Sequence, residues 1–154
     1  MFYLILFLLI LVADQYTKLA IQQDMFLGQS IPLIHGFFHL TYIRNTGGAF
    51  GIMRNSTNLF IVISVIVIIF IIYFLFKEKN KDALILVFSA LVLGGALSNL
   101  IDRIRLGYVI DFLDFLVWPV FNIADAAISI GVALLVLRAF ITRDTPAPSE
   151  EVNE

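Results

Sequence analysis

The sequence predicts an α-helical integral membrane protein, with four transmembrane helices and a small β-sheet platform at one membrane surface. Three observations carry that expectation. The 154 residues are 60% hydrophobic and only 14% charged, whereas soluble domains run at roughly 45–50% apolar and about 25% charged. Four separate apolar runs come near the roughly 20 residues that a helix needs to cross a hydrocarbon core about 30 Å thick. Between the first two runs lies a stretch, 22–58, with the residue pattern of short strands.

The first span runs from about Phe2 to Ile21 and carries Asp14 near its end. A cleaved secretory signal would need a basic segment before the apolar run and a small-x-small cleavage site after it. No Lys or Arg precedes this run, and Asp14-Gln15 follows it directly. In 22–58, Phe38-His39-Leu40-Thr41-Tyr42-Ile43 alternates loosely and is rich in aromatic and β-branched residues. Pro32 and Gly36 lie before it and Gly47-Gly48 after it, which reads as strands with turns. The second span is 59–76, apolar except for Ser64. A charged loop, Lys77-Glu78-Lys79-Asn80-Lys81-Asp82, leads to the third span, Leu84 to about Ile104. There Ala90, Gly94 and Ser98 recur every fourth residue, and small residues at that spacing let helix backbones approach closely. The fourth span, Asn122 to Ile141, follows a loop over 105–121 and opens with Ala124, Ala126, Ala127, Ser129 and Gly131. The domain organisation is therefore a membrane domain over 1–141, including the β-rich insertion 22–58, and a tail over 142–154. Pro146, Pro148 and three Glu in that tail predict disorder. All four spans must be helical, because lipid offers no water to satisfy backbone N–H and C=O groups.

Net charge and cysteine content exclude several functions. A formal charge of −2 rules out a nucleic-acid binder driven by net basicity. The absence of cysteine rules out disulfides, thiolate nucleophiles and Cys-ligated metals. Lys and Arg bias sets orientation. Lys77, Lys79, Lys81, Arg138 and Arg143 fall on one side, against Lys18, Arg44, Arg54, Arg103 and Arg105 on the other. The density of lysine in 77–81 marks that loop and both termini as cytoplasmic.

In so apolar a chain the ionisable residues are the informative ones, since a charge in lipid costs at least about 2.5–3.5 kcal/mol on insertion scales. Asp14, Asp102, Arg103, Asp111 and Asp125 all fall at or near one membrane face under this topology. Asp111 and Asp125 are the candidate reacting pair. On one continuous helix they would be about 21 Å apart, but Gly107 and Trp118-Pro119 interrupt the path, so the chain can fold back. Two adjacent carboxylates share a proton. One can then accept a proton from water while the other protonates a scissile carbonyl. Such hydrolysis requires no metal, cysteine, Ser-His pair or other cofactor.

Plainer readings stand beside this one. Asn122, three before Asp125, resembles a helix N-cap with a carboxylate in the first turn. Asp111 and Asp114 also read as solvated loop acids, and Asp14 with Lys18 either as a simple helix ion pair or as a structural or site-supporting pair. Asn99, Asp102 and Arg103 read as a polar helix end. Asn45-Thr46-Gly47-Gly48 reads as a turn. His35 and His39 have metal-ligand spacing, but Gly36 and strand-like neighbours argue against a helix there, and no H-E-x-x-H is present. Intramembrane carboxylates also mark proton relays, so a proton- or ion-coupled transport subunit is the alternative function. A relay would spread its carboxylates along a path at mid-membrane depth.

Five blocks together resemble the bacterial lipoprotein signal peptidases (signal peptidase II), intramembrane aspartyl proteases. They are Asp14-Gln15-Tyr16-Thr17-Lys18, Arg44-Asn45-Thr46-Gly47-Gly48-Ala49-Phe50-Gly51, Gly95 through Arg103, Val109-Ile110-Asp111-Phe112, and Phe121-Asn122-Ile123-Ala124-Asp125. The resemblance implies an aspartic endopeptidase of the bacterial cytoplasmic membrane, with its sheet and active site toward the extracytoplasmic face. Its implied substrate is a prolipoprotein whose lipobox cysteine already carries diacylglycerol, cut just before that cysteine. The implied catalytic pair is Asp111 and Asp125. The implied supporting or substrate-binding residues are Asp14, Asn45, Asn99, Asp102, Arg103 and Asn122. Membrane lipid and the cyclic peptide inhibitor globomycin are the other implied partners, and no cofactor is implied. Ser98 stands where the family usually has glycine, and Gly48 where alanine is common; both are expected to affect local packing only.

Overall fold

The computed structural model describes residues 2–48, 53, 55–77 and 82–143, the side chains of 142 and 143 excepted. Arg54, Lys79, Lys81, residues 49–51 of the second block and the tail beyond 143 lie outside the described residues. Among those described, four helices are long and apolar enough to cross a membrane. They are α1 (Phe2–Asp24), α2 (Thr57–Lys77), α3 (Ala83–Leu106) and α4 (Ile123–Arg143). The first span thus continues three residues past Ile21, and the fourth runs two residues into the segment expected to be disordered.

Helix α3 is central and packs against the other three helices. Its small residues explain how. A Cβ on Gly94 would stand 3.0 Å from the Phe7 carbonyl oxygen of α1. One on Gly95 would run into the Ala124 carbonyl oxygen of α4. The two glycines let α3 meet a different neighbour on each side.

Helix α3 is also well delimited. Asp82 caps its start and accepts from the Ile85 N–H at 2.8 Å, while Gly107 ends it at φ 81°, a conformation glycine adopts without steric cost. Arg138 of α4 donates through Nε to the Asp82 carboxylate at 2.8 Å. The Ile85 N–H and Arg138 hold the Asp82 carboxyl below its ordinary value of 3.8. A carboxyl lowered on folding contributes stability above its unfolded value and loses it as pH falls through the folded one. Asp82→Ala is therefore expected to lower the unfolding temperature at pH 7, and by less as pH falls below the ordinary carboxyl value, as read by thermal unfolding in detergent.

The sheet has three antiparallel strands in the order β1 (Ser30–Ile34), β2 (Phe38–Asn45), β3 (Val109–Asp114). The first two form the hairpin expected from 22–58. The third overturns the expectation of a plain loop over 105–121. It pairs Ile43 with Asp111, Arg44 with Ile110 and Asn45 with Val109, with an irregularity between Leu40 and Ile43. Val109, Ile110, Asp111 and Phe112 are all buried, so the strand lacks the alternation of a half-exposed one. One face packs through Tyr42, Ile110 and Phe112 onto Ile21 and Met25 at the end of α1. This apolar floor fixes β3 against the ends of the helices that carry the polar residues.

Candidate active site

Asp111 is 1% exposed and so is no solvated loop acid. Its Oδ2 accepts from Asn45 Nδ2 at 2.9 Å and its Oδ1 from Asn122 Nδ2 at 2.6 Å. Asp114, by contrast, accepts from Thr41 Oγ1 at 2.6 Å, further along the sheet. Asp125 sits in the first turn of α4. The Asn122 Oδ1 accepts from the Asp125 N–H at 2.8 Å, and the Asp125 Oδ2 accepts from the Asn122 N–H at 3.3 Å. This is a reciprocal capping box. Asp125 Oδ1 accepts from Asn99 Nδ2 at 2.7 Å. The capping reading and the site reading of Asn122 and Asp125 are therefore compatible: the cap is what aims the carboxylate.

The orientation of each asparagine is enforced from behind. The Asn45 Oδ1 accepts from the Gly47 N–H at 2.9 Å, so the turn at 45–48 also serves the site. The Asn122 Oδ1 is taken by the Asp125 N–H. The Asn99 Oδ1 accepts from Lys18 Nζ at 2.8 Å. An amide with its oxygen committed to a pure donor must present its NH2 on the other side. In all three cases that side is a carboxylate.

Beneath lies a buried ionic layer. Lys18, 2% exposed, reaches Asp14 Oδ2 at 2.6 Å and Asp102 Oδ2 at 2.9 Å. The Asp14 Oδ1 also accepts from the Ala124 N–H at 2.8 Å, so a carboxylate on α1 anchors the start of α4. Asp102 accepts from the Ile110 N–H at 3.4 Å and from Gln15 Nε2 at 2.8 Å. The spacing of Asp14 and Lys18 gives the pair alone; the third and fourth partners come from α3. Ser98 departs from its expected role in packing only. Its hydroxyl donates to Asp14 Oδ2 at 2.7 Å and accepts from Gln15 Nε2 at 3.0 Å. Gln15 is a network member that the sequence does not single out by itself; there Lys18 reads as the ion-pair partner of Asp14, and Ser98 as a packing residue. Removing one partner of a buried ion pair typically costs about 3–5 kcal/mol. Asp14→Ala is expected at the lower end, about 3 kcal/mol, because Asp102 still neutralises Lys18. Chemical unfolding in detergent measures it.

Asp111 and Asp125 both line one cavity of about 420 Å³, together with Asn45, Arg103, Trp118 and Ser129. Arg103 donates from Nη2 to the Gly47 carbonyl at 3.4 Å and lies 5.1 Å from the Phe60 ring centroid of α2. Its Nε is buried and has no hydrogen-bond partner among the described residues. Burial, reinforced by the nearby Asp125 charge, pushes the Asp111 carboxyl up to about 7; Asn45, Asn122 and Lys18 pull the other way. A carboxyl so placed is able to hold a proton at neutral pH. His39 lies in β2, with Nδ1 at 3.1 Å from Ser30 Oγ, and His35 in the turn before it. Neither borders this cavity.

A family model described as "Signal peptidase (SPase) II" matches residues 6–141. A lipoprotein signal peptidase of Halothermothrix orenii is 48% identical over 133 residues, 86% of this chain and 91% of the relative. One from Moorella thermoacetica is 49% identical over 134 residues, 86% of this chain and 89% of the relative. A bacterial membrane enzyme solved by the in meso method at 2.3 Å superposes with a TM-score of 0.90 at 32% identity, covering 96% of this chain and 93% of the other. A second, solved at 1.9 Å, gives a TM-score of 0.82 at 34% identity over 93% and 94% of the two chains. Sequence likeness through all four helices and the sheet, together with the same backbone, makes this chain a membrane peptidase that belongs to the signal peptidase II family.

Proposed function

We propose that the protein removes the signal peptide from diacylglyceryl-modified prolipoproteins, cutting just before the lipidated cysteine, with Asp111 and Asp125 as the catalytic pair. The observation that carries this reading is the environment of the two carboxylates. They come from separate elements, face one cavity, and have every oxygen held by an N–H donor. The names of the relatives supply the substrate class.

The chemistry follows from a shared proton. The ionised carboxylate takes a proton from water as the water oxygen adds to the scissile carbonyl carbon. The protonated partner donates to the carbonyl oxygen. The tetrahedral intermediate then collapses. The C–N bond breaks, the cysteine nitrogen leaves with a proton from the pair, and the signal peptide keeps the new carboxyl group. Asn45, Asn99 and Asn122 hold the carboxylates in place through this cycle, and Asp14 and Asp102 tie the start of α4 and β3 to the buried layer. Arg103, which lines the cavity, is placed to hold substrate carbonyl groups. Globomycin would compete for this cavity.

The same layout suits a substrate that arrives within the bilayer. The sheet and the pair lie at the end of the bundle where α1 and α3 finish and α2 and α4 begin. We place that end on the extracytoplasmic face. Lys18 and Arg103, two of the cations counted on that side, are committed inside the fold, so the lysine-rich loop at 77–81 dominates the positive-inside signal. Grouping at one end also counts against a transport relay along the membrane normal.

The test is cleavage by purified protein in lipid of one prolipoprotein in two forms, with and without the diacylglyceryl group. Only the lipidated form should yield a mature product beginning at cysteine. Equal cleavage of both forms, or a product beginning elsewhere, would overturn the substrate assignment.

A further inference from the structure

We propose that Lys18 is a positioning residue for the catalytic pair: its ammonium locks the Asn99 amide in the one orientation that presents an N–H to Asp125. The inference rests on the reading of Asp111 and Asp125 as that pair.

A lysine ammonium has three donors and no acceptor. Here all three are used, toward Asp14 Oδ2 at 2.6 Å, Asp102 Oδ2 at 2.9 Å and Asn99 Oδ1 at 2.8 Å. A purely structural ion pair would need only the two aspartates. The third bond does something else. It forbids the flipped amide, because that would set NH2 against the ammonium and a carbonyl against Asp125. The Asn99 Oδ1 also accepts from Asn122 Nδ2 at 3.3 Å, and the same NH2 donates to Asp111 Oδ1 at 2.6 Å. One buried cation thus orders the amides that reach both carboxylates.

Lys18 also acts by its charge. Among the described residues, the charged groups nearest the pair are Asp14 and Lys18 from α1 and Asp102 and Arg103 from α3. From β2 comes the neutral Asn45, from the cap of α4 the neutral Asn122, and from α2 Phe60 lies against Arg103. The Lys18 charge favours the ionised form of Asp111. Its removal moves the Asp111 equilibrium to higher pH.

The test compares wild type, Lys18→Gln, Lys18→Arg, Asn99→Leu and the double variant Lys18→Gln/Asn99→Leu, as full-length protein in lipid. Cleavage of a lipidated prolipoprotein is followed against pH. The carboxyl C=O stretch that disappears in Asp111→Asn is titrated by infrared spectroscopy without substrate. Lys18→Gln should lower kcat by about 10- to 100-fold with KM changed less than about twofold, the range for groups that orient a reacting residue. The alkaline limb of its pH profile and its infrared titration should move to higher pH. Lys18→Arg should restore the position of that limb. The double variant should cleave no more slowly than the worse single variant, since both substitutions break one chain of contacts. Unmoved titrations, with any loss of kcat tracking a lower melting temperature, would overturn the proposal; so would additive losses in the double variant. Should Lys18→Gln not fold, Lys18→Arg, expected with lowered kcat and an unmoved alkaline limb, completes the cycle with Asn99→Leu. The infrared signal is read without cleavage. Failure of the catalytic-pair reading, seen as normal turnover in Asp111→Asn or Asp125→Asn, is therefore distinguishable from failure of the Lys18 proposal.

Discussion

Asp111→Asn and Asp125→Asn are each expected to reduce cleavage on the order of 10³-fold or more, at the upper end of what a general acid or base contributes. Neither amide can take a proton from water at neutral pH. Each also disturbs its surroundings in a specific way. The two oxygens of Asp111 both accept from amide NH2 groups, and those of Asp125 accept from an amide and a backbone N–H. An asparagine at either position must turn an NH2 toward another N–H. That lost hydrogen bond costs about 1–3 kcal/mol, offset in part because a buried charge is also removed. Unfolding of both variants must therefore be measured beside turnover. Turnover within about tenfold of wild type, in a variant that unfolds like wild type, would remove that residue from the pair. The pH dependence adds a second check. Asp111 is raised to about 7, so on the proposed mechanism it loses the proton it must donate as pH climbs through that value, and cleavage should fall on the alkaline side. Stability should follow the same sign. A carboxyl raised on folding contributes stability that is fully present below its unfolded value and is lost as pH rises through the folded one. This contribution should therefore decline between 3.8 and about 7.

How much of this was legible in the sequence depends on where each signal resides. The four spans are plain because apolar run length is a one-dimensional property. The β1–β2 hairpin is legible because Phe38 to Ile43 sits between turn residues. The third strand is not, because period-2 alternation arises only when one face meets water, and Val109 through Phe112 are buried throughout. Without β3, the sequence brings Asp111 and Asp125 together only by permitting a fold-back; register with β2 is what sets Asp111 beside Asn45. Asp14 and Lys18 illustrate a second limit. Spacing of four shows that two residues share a helix face, not whether that face is buried, so a surface ion pair and the centre of an ionic layer look alike. Ser98 shows a third. Its hydroxyl matters because Asp14 and Gln15 from another helix meet it, and no local pattern encodes that meeting.

Gly95→Ala is expected to lower kcat by about 100-fold, the effect of displacing a reacting group by roughly 1 Å. The added Cβ would overlap the Ala124 carbonyl oxygen and stand 2.8 Å from Ile128 Cγ1. The first obstacle is backbone, which cannot rotate away, so α4 must shift at its start. Asp125 is the next residue along. Alanine favours a helix over glycine by up to about 1 kcal/mol, whereas overpacking typically costs about 1–3 kcal/mol. The net loss of stability should therefore be small beside the loss of turnover. Gly131→Ala is the matched comparison. Its Cβ would stand 2.7 Å from Val92 Cγ2 and 2.8 Å from the Phe88 carbonyl oxygen, a similar overlap between the same two helices. It lies about 9 Å further along α4 from Asp125, at 1.5 Å per residue. A tilt that pivots at the anchored start of α4 moves Gly131 away and leaves the capping box at Asn122 with its partners. Gly131→Ala should therefore lower the unfolding temperature at least as much as Gly95→Ala and leave kcat within about threefold of wild type, as a substitution outside the site should. Equal loss of turnover in both variants would show that α3–α4 packing acts on global stability, and that the glycine at 95 does not set the place of the second carboxylate.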